Sequence, residues 1–281
     1  MSQDVFMELK EAQEILGQID KSNPSAQWGE QLSTAVQRAL AELYLLNPYD
    51  DVDGTIGPRT RGAWGFFKAA QNLPDPDAID DTAARVLIQA SSNPAGLIGQ
   101  VKVNLQPDFE FRRGATQKSQ NQDNSAKAII DAASSLQLNK GQIAYILATA
   151  EHESDSFKTL EEYADGSRYE GRKDLGNTQS GDGTRFKGRG YVQLTGRRNY
   201  SAYAGITGIE LVKLPVILMN WPALSVFVLV DGMQRGVYTG RRLDEFVNDS
   251  RQDFHNARQV VNDHDCEQKI ADQANDWLSS L

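Results

Sequence analysis

Apolar residues recur at helical spacing over much of the chain, and polar punctuation cuts the pattern into pieces. Residues 30–46 place Leu32, Val36, Leu40 and Leu43 on one face, which predicts a helix. The pattern breaks at "NPYDDVDGTIGP", where Asp53-Gly54 signals a turn and Gly57-Pro58 a helix start. A second short helix follows with Ala63, Phe66 and Phe67 on one side, and Thr82 opens a third that carries Val86 and Leu87. This small three-helix unit is expected to end near residue 92. "SSNPAGLIGQ" then reads as a hinge. Residues 101–111 alternate Val101, Val103, Leu105, Phe109 and Phe111, as a short extended piece would. Residues 116–125, "TQKSQNQDNS", are polar and free of aromatics, and read as an exposed loop. Ser125 is expected to cap the helix "AKAIIDAASSLQL", and Asn139 the helix "KGQIAYILATAEHE" with Ile143, Ile146, Leu147 and Ala150 on one face. "LSVFVLV" (224–230) reads as a buried core segment, too short for the roughly 20 apolar residues of a membrane span.

The last of these helices ends in His152-Glu153. A carboxylate at a helix C-terminus is opposed by the helix dipole, a local inconsistency of the kind found at functional sites. Zinc chemistry is tested first. His-Glu-x-x-His fails because Ser156 stands four residues after His152. The other histidines, His255 and His264, lie far downstream, and His264 in "NDHDCE" reads as a polar surface residue. No metal and no cofactor is expected. The lone Cys266 rules out an intramolecular disulfide and suits a reducing compartment.

The net charge of −9 argues against a nucleic-acid partner. It is uneven, since residues 1–92 hold 7 Lys/Arg against 14 Asp/Glu, net −7. Arg185, Lys187, Arg189, Arg197 and Arg198 form a local basic run, which reads as a solvated or ligand-facing surface. The acidic N-terminus has no basic segment ahead of an apolar run, so no standard secretory signal is expected.

Carboxylates remain as the candidate chemistry. Glu153 is followed by Glu161, Glu162 and Glu170. Acid–base cleavage of a glycosidic bond needs one carboxyl kept protonated by desolvation and a second, ionised one that holds a water. In inverting enzymes the two stand about 6.5–9.5 Å apart. By spacing alone, solvated surface charge is the better account of these glutamates. The segment "DGTRFKGRGYVQLTGRRNY" (182–200) adds Gly188 and Gly190, which let a backbone approach a ligand closely. It also adds the neutral donors and acceptors Gln193, Thr195 and Asn199, and flat rings at Tyr191 and Tyr200. A β-hairpin with an ordinary polar face fits the same residues.

"AEHES…F" followed by "RFKGRGYVQLTGRRNY" resembles the family 19 glycoside hydrolases, which include plant chitinases and phage endolysins. "YAGITG…LPVILMNWPALSVFVLVDGMQ" and "FHNARQVVND" are similar to later segments of that family, so that the resemblance covers roughly residues 124–280. Residues 30–92 resemble the small peptidoglycan-binding domain of cell-wall hydrolases through "VQRAL", "VDGTIGPRT" and "AWGFFKAAQNL".

The resemblance implies a mainly α protein. A wall-binding domain over 1–92 and a linker over 93–123 would precede a lysozyme-like helical catalytic domain with a small β element over 124–281. It implies Glu153 as the acid and either Glu162 or Glu170 as the second carboxylate. Gln193, Thr195, Asn199, Tyr200, Arg258 and Asn262 would bind substrate, Thr195 helping to hold the attacking water. The usual glycines after the first glutamate are replaced by Ser154-Asp155-Ser156, and Asp155 could perturb Glu153 through like charge.

The activity implied is that of an endolysin-like muramidase. It would cut the β-1,4 link between N-acetylmuramic acid and N-acetylglucosamine by inverting catalysis. Chitin hydrolysis and non-catalytic wall binding are the alternatives. The partner is the peptidoglycan glycan strand, with no nucleic acid, no membrane and a monomeric protein. The protein would stay in the cytoplasm of the producing cell until released to the bacterial wall, as a phage lysis product or a secreted effector.

Overall fold

The structure is a computed structural model describing residues 7–19, 29–74, 79–114, 118–262 and 265–281. The first six residues, residues 116–117 of the polar stretch and His264 lie outside the described residues. The fold is mainly helical, with over half of the chain in helix and very little strand. It divides into two compact units, Met1–Val103 with Ala204–Asn220, and Asn104–Tyr203 with Trp221–Leu281. The first unit thus extends to Val103, and a segment far along the chain joins it.

The first unit holds α1 (Leu9–Leu16), α2 (Glu30–Glu42), α3 (Pro58–Ala70), α4 (Asp81–Ser92) and the single turn α5 (Ala95–Ile98). Leu16, Val36, Leu40, Trp64, Phe67 and Leu87 form its core. α1 packs on α2 and α4, so the expected three helices are joined by a fourth. Asp80, not Thr82, caps α4, its carboxylate accepting from the Ala83 N–H. Gln37 on α2 is fully buried and its amide is saturated. Its Nε2 donates to Asp53 Oδ1 (2.9 Å), the Thr55 carbonyl (3.0 Å) and Thr60 Oγ1 (3.1 Å). Its Oε1 accepts from the N–H groups of Asp53 (3.1 Å) and Gly54 (2.8 Å). One side chain thereby holds the whole Asp53-Gly54 turn, a buried polar group made tolerable by complete pairing. In the same unit the Gly208–Asn220 stretch is tied to residues 98–102. Glu210 N donates to the Ile98 carbonyl (2.9 Å) and Lys102 N to that of Thr207 (2.8 Å).

The second unit is built on α6 (Lys118–Ser135), α7 (Lys140–Glu153), α8 (Asp182–Arg185), α9 (Arg197–Thr207, whose last turn belongs to the first unit), α11 (Pro222–Arg235) and α12 (Glu267–Ser280). The short α10 (Ile217–Asn220) lies in the first unit. α7 is buried on all sides from Gln142 to Ala150, as a central helix must be, and packs against α6, α11 and α12. Asn139 caps it as expected, in a reciprocal capping box with Gln142. "LSVFVLV" forms the buried stretch of α11. The only regular strands among the described residues, β1 (Val247–Asn248) and β2 (Arg251–Gln252), make a minimal antiparallel hairpin.

Residues 101–111 carry neither helix nor regular strand. One expectation fails here. The polar stretch is not a loop beyond residue 117, because α6 starts at Lys118 and Ser125 sits inside the helix rather than at its cap. Long-range bonds make that possible. Asn121, buried, accepts from the Arg112 N–H (3.0 Å) and donates to the Phe157 carbonyl (2.9 Å), and the Ser125 hydroxyl pairs with Tyr191 Oη at 2.6 Å. Polar residues that face a core through such bonds leave no apolar signal in the sequence.

Candidate active site

α7 delivers Glu153 at its last turn, and an unusual turn fixes how the chain leaves. Asp155, Ser156 and Phe157 all adopt left-handed backbone angles, with φ of 50°, 57° and 62°. Non-glycine residues resist that conformation. Ser154 makes it possible. Its buried hydroxyl donates back to the Ala150 carbonyl (2.6 Å) and accepts from the Phe157 N–H (3.0 Å). Phe157 is then driven into the core, where its ring meets Tyr191 and Trp277.

The chain returns through Leu160–Glu162 and pairs with the glycine segment. Glu162 N donates to the Gly188 carbonyl (3.0 Å) and Gly190 N to that of Leu160 (2.8 Å), around isolated antiparallel bridges of Arg189 with Glu161 and Leu194. These bridges replace the hairpin that fitted the sequence. The Gly188 N–H donates to Glu162 Oε2 at 3.1 Å, and a Cβ in its place would lie 2.6 Å from Gln193 Oε1, so a side chain there would displace the end of Gln193.

The result is an open cleft of about 750 Å³ in the second unit. Glu153 and Glu162 both line it, with their side chains 16% and 14% exposed. Burial pushes the Glu153 carboxyl above the ordinary glutamate value. Arg258, whose Nη1 donates to Glu153 Oε1 at 2.7 Å, opposes that shift, and Asp265 adds to it. Glu162 Oε1 accepts from Arg168 Nη2 (2.7 Å) and from Tyr169 Oη (3.1 Å), while Oε2 takes the Gly188 N–H. His152 lines the cleft beside Glu153; burial, then Lys269 and Arg258, lower its pKa, which favours the neutral ring.

Gln193, Thr195, Asn199 and Asn262 also line this cleft. Gln193 Nε2 donates to the Gly190 carbonyl (3.1 Å), Thr195 Oγ1 to that of Gln193 (2.8 Å), and Asn199 Nδ2 to that of Thr195 (2.9 Å). Asn262 Nδ2 donates to the Asp265 carboxylate (3.2 Å).

Other expected residues take different places or partners. Glu170 does not line the cleft. Its two oxygens accept the N–H groups of Gly181 and Gly183, both at 2.8 Å, and close the loop that starts α8. Tyr200 is fully buried, its hydroxyl donating to the Lys187 carbonyl (3.1 Å) and its ring against Phe186, so it offers no face to a ligand. Tyr191 is equally buried. Arg258 lines the cleft but is only 2% exposed, and its guanidinium is taken up by Glu153 on the buried side and by the largely exposed Asp265 on the other. Asp155 is exposed and bonds Lys158 and Tyr163; the acid that acts on Glu153 is Asp265.

Arg168, Tyr169 and Asp265 were not expected in the site. The first two stand in "RYEGR", the stretch that drew attention to Glu170, and only the fold shows that they reach Glu162 while Glu170 turns away. Among the described residues no group of three or more His, Cys, Asp or Glu side chains is arranged to hold a metal ion. No described helix is long and apolar enough to cross a membrane. No protein-family model matches the chain, and no solved structure matches it.

Proposed function

We propose that the second unit is a lysozyme-like glycoside hydrolase that cuts the β-1,4 bond between N-acetylmuramic acid and N-acetylglucosamine in peptidoglycan, with inversion. The observation that carries this reading is one cleft lined by two carboxyls in opposite settings. Glu153 is desolvated and held above its ordinary pKa, and Glu162 is ringed by an arginine, a tyrosine and a backbone N–H. Such a division of environments is how paired carboxyls take acid and base roles.

In this mechanism protonated Glu153 gives its proton to the glycosidic oxygen as the C1–O bond breaks. A water attacks C1 from the opposite face, loses its proton to Glu162, and leaves the new hemiacetal inverted. Thr195 helps orient that water, and Gln193 and Asn199 suit acetamido and hydroxyl groups. The Gly-Arg-Gly-x-x-Gln-Leu-Thr motif and its likeness to family 19 support the assignment. The first unit, by its own resemblance, would tether the enzyme to the wall, where holding substrate near raises its effective concentration. Release from the producing cell to that wall completes the proposal.

Mass spectrometry of digested peptidoglycan tests it. The expected fragments end in reducing N-acetylmuramic acid, the α-anomer forms first by NMR, and Glu153→Gln lowers the rate by about 10²–10⁴-fold. Fragments ending in N-acetylglucosamine, or cleavage confined to chitin oligomers, would reassign the substrate. Wall binding with no reducing ends released would leave a binding protein.

A further inference from the structure

The basic run Arg185, Lys187, Arg189, Arg197 and Arg198 is largely absorbed by the fold. Arg197 forks onto the buried Asp182, with Nε to Oδ2 at 2.9 Å. Arg189 is buried and donates to the Arg185 carbonyl at 2.9 Å. Lys187 pairs with Glu161 at 3.3 Å, and the Arg185 guanidinium lies over the Phe186 ring. Arg198 is the exception: it is exposed and lines the same cleft as Glu153 and Glu162.

The charges of the cleft wall sharpen the contrast. Four arginines line it (Arg168, Arg172, Arg198 and Arg258), with four acids (Glu153, Glu162, Asp174 and Asp265). Arg168 pairs with Glu162, Arg172 with Asp174, and Arg258 with both Glu153 and Asp265. Arg198 has no acidic partner among the described residues. In a protein of net charge −9, the wall is balanced, and it turns net positive when Glu153 carries its proton. The base of Arg198 is also fixed in place. Gly176, at φ 72°, packs so closely that a Cβ there would lie 2.9 Å from the Arg198 Cβ. The guanidinium therefore starts from a defined point on the wall that also carries Thr195 and Asn199.

Resting on the proposed glycosidase reading, we infer that Arg198 is a specificity residue that binds a carboxylate carried by the glycan substrate. A guanidinium fork matches a carboxylate in two parallel hydrogen bonds, and a neutral chitin chain offers it nothing comparable. Peptidoglycan has two sources of that chemistry, the stem-peptide carboxylates and, once the peptide is removed, the lactyl carboxylate of muramic acid. Arg198 thus gives the cleft a reason to prefer muramic acid polymers.

The experiment measures KM and kcat for wild type, Arg198→Gln and Arg198→Lys on three soluble substrates: peptide-bearing glycan oligomers, the same oligomers stripped by an amidase, and neutral N-acetylglucosamine oligomers. The neutral oligomers serve as competitive inhibitors if they are not cut. Arg198→Gln is expected to raise KM about tenfold on at least one anionic substrate, the scale of a solvent-facing charged hydrogen bond, with little change in kcat. It leaves the neutral arm unchanged. Arg198→Lys restores most of the loss, and added salt narrows the gap between wild type and Arg198→Gln. A rise on the peptide-bearing substrate alone places the carboxylate on the peptide, and a rise on the stripped substrate alone places it on the lactyl group. An unchanged KM on both anionic substrates, or an equal rise on the neutral one, overturns the inference while leaving the glycosidase reading intact. A wild type that cuts none of the three overturns that reading itself.

Discussion

Glu153 is held between two opposing influences, burial that disfavours its charge and a buried arginine 2.7 Å away that favours it. Burial is the larger, so the carboxyl takes its proton at higher pH than an ordinary glutamate. In the proposed mechanism the acid must be protonated to act, so activity is expected to disappear as pH rises through that raised value. The alkaline limb of kcat/KM is therefore expected to lie above the ordinary glutamate value of 4.5. Arg258→Gln removes the opposing charge and should move the limb to still higher pH. It should also lower stability by about 3 kcal/mol, measured by urea unfolding, because buried Glu153 loses its partner. Glu162 and Glu170 separate at the same scale. Glu162→Gln is expected to abolish turnover with the fold intact. Glu170→Gln should keep most of the activity and weaken the loop at Gly181 and Gly183 by about 1 kcal/mol. Equal losses from the two variants would refute the division of roles. Sequence spacing left these glutamates level because both follow Glu153 in one polar stretch. What separates them is which N–H groups each carboxylate meets, and those come from residues 181–188.

Among the elements, the left-handed turn after α7 is the most exacting. The missing glycines at 154–156 are legible in the sequence as a departure from the pattern of the family it resembles, and the structure gives their consequence. Ser156 occupies a backbone region that suits glycine, so Ser156→Gly should stabilise by about 0.5–1 kcal/mol, the relieved strain exceeding the added chain entropy. Ser154→Ala should do the reverse, costing about 1–3 kcal/mol because the Phe157 N–H loses its acceptor in a buried place. Thermal unfolding of both variants checks the pair, and a neutral Ser154→Ala would show that the hydroxyl does not hold the turn. α7 and its Asn139 cap were readable because an apolar run with a cap at its head is a local signal. The first turns of α6 were not, since Asn121 and Ser125 face inward only by bonding to Phe157, Arg112 and Tyr191, partners 9 to 66 residues away.

The two units of the whole molecule are not two consecutive stretches of chain. Ala204–Asn220 groups with the first hundred residues, and its backbone bonds run to Ile98 and Lys102. A fragment beginning at residue 104 would keep the cleft residues but strip that segment of its partners, leaving Ile209, Leu211 and Leu214, buried in the full chain, to solvent. Such a fragment is expected to melt below the full-length protein and to aggregate. A fragment as stable and soluble as the whole would show that residues 204–220 hold their structure without the first unit.

Sequence alone determined what local pattern encodes: a mainly helical chain, the cap and apolar body of α7, the buried run of α11, and Glu153 as a carboxylate out of place at a helix end. Tertiary structure alone decided that Glu162 shares a cleft with Glu153 while Glu170 does not line it, that Tyr191 and Tyr200 are core rather than sugar platforms, that Arg258 pairs with acids, and that Arg198 stands apart from its basic neighbours. These outcomes turn on burial and on hydrogen bonds between residues far apart in the chain. Desolvation and pairing are properties of a place in space, and one-dimensional spacing does not carry them.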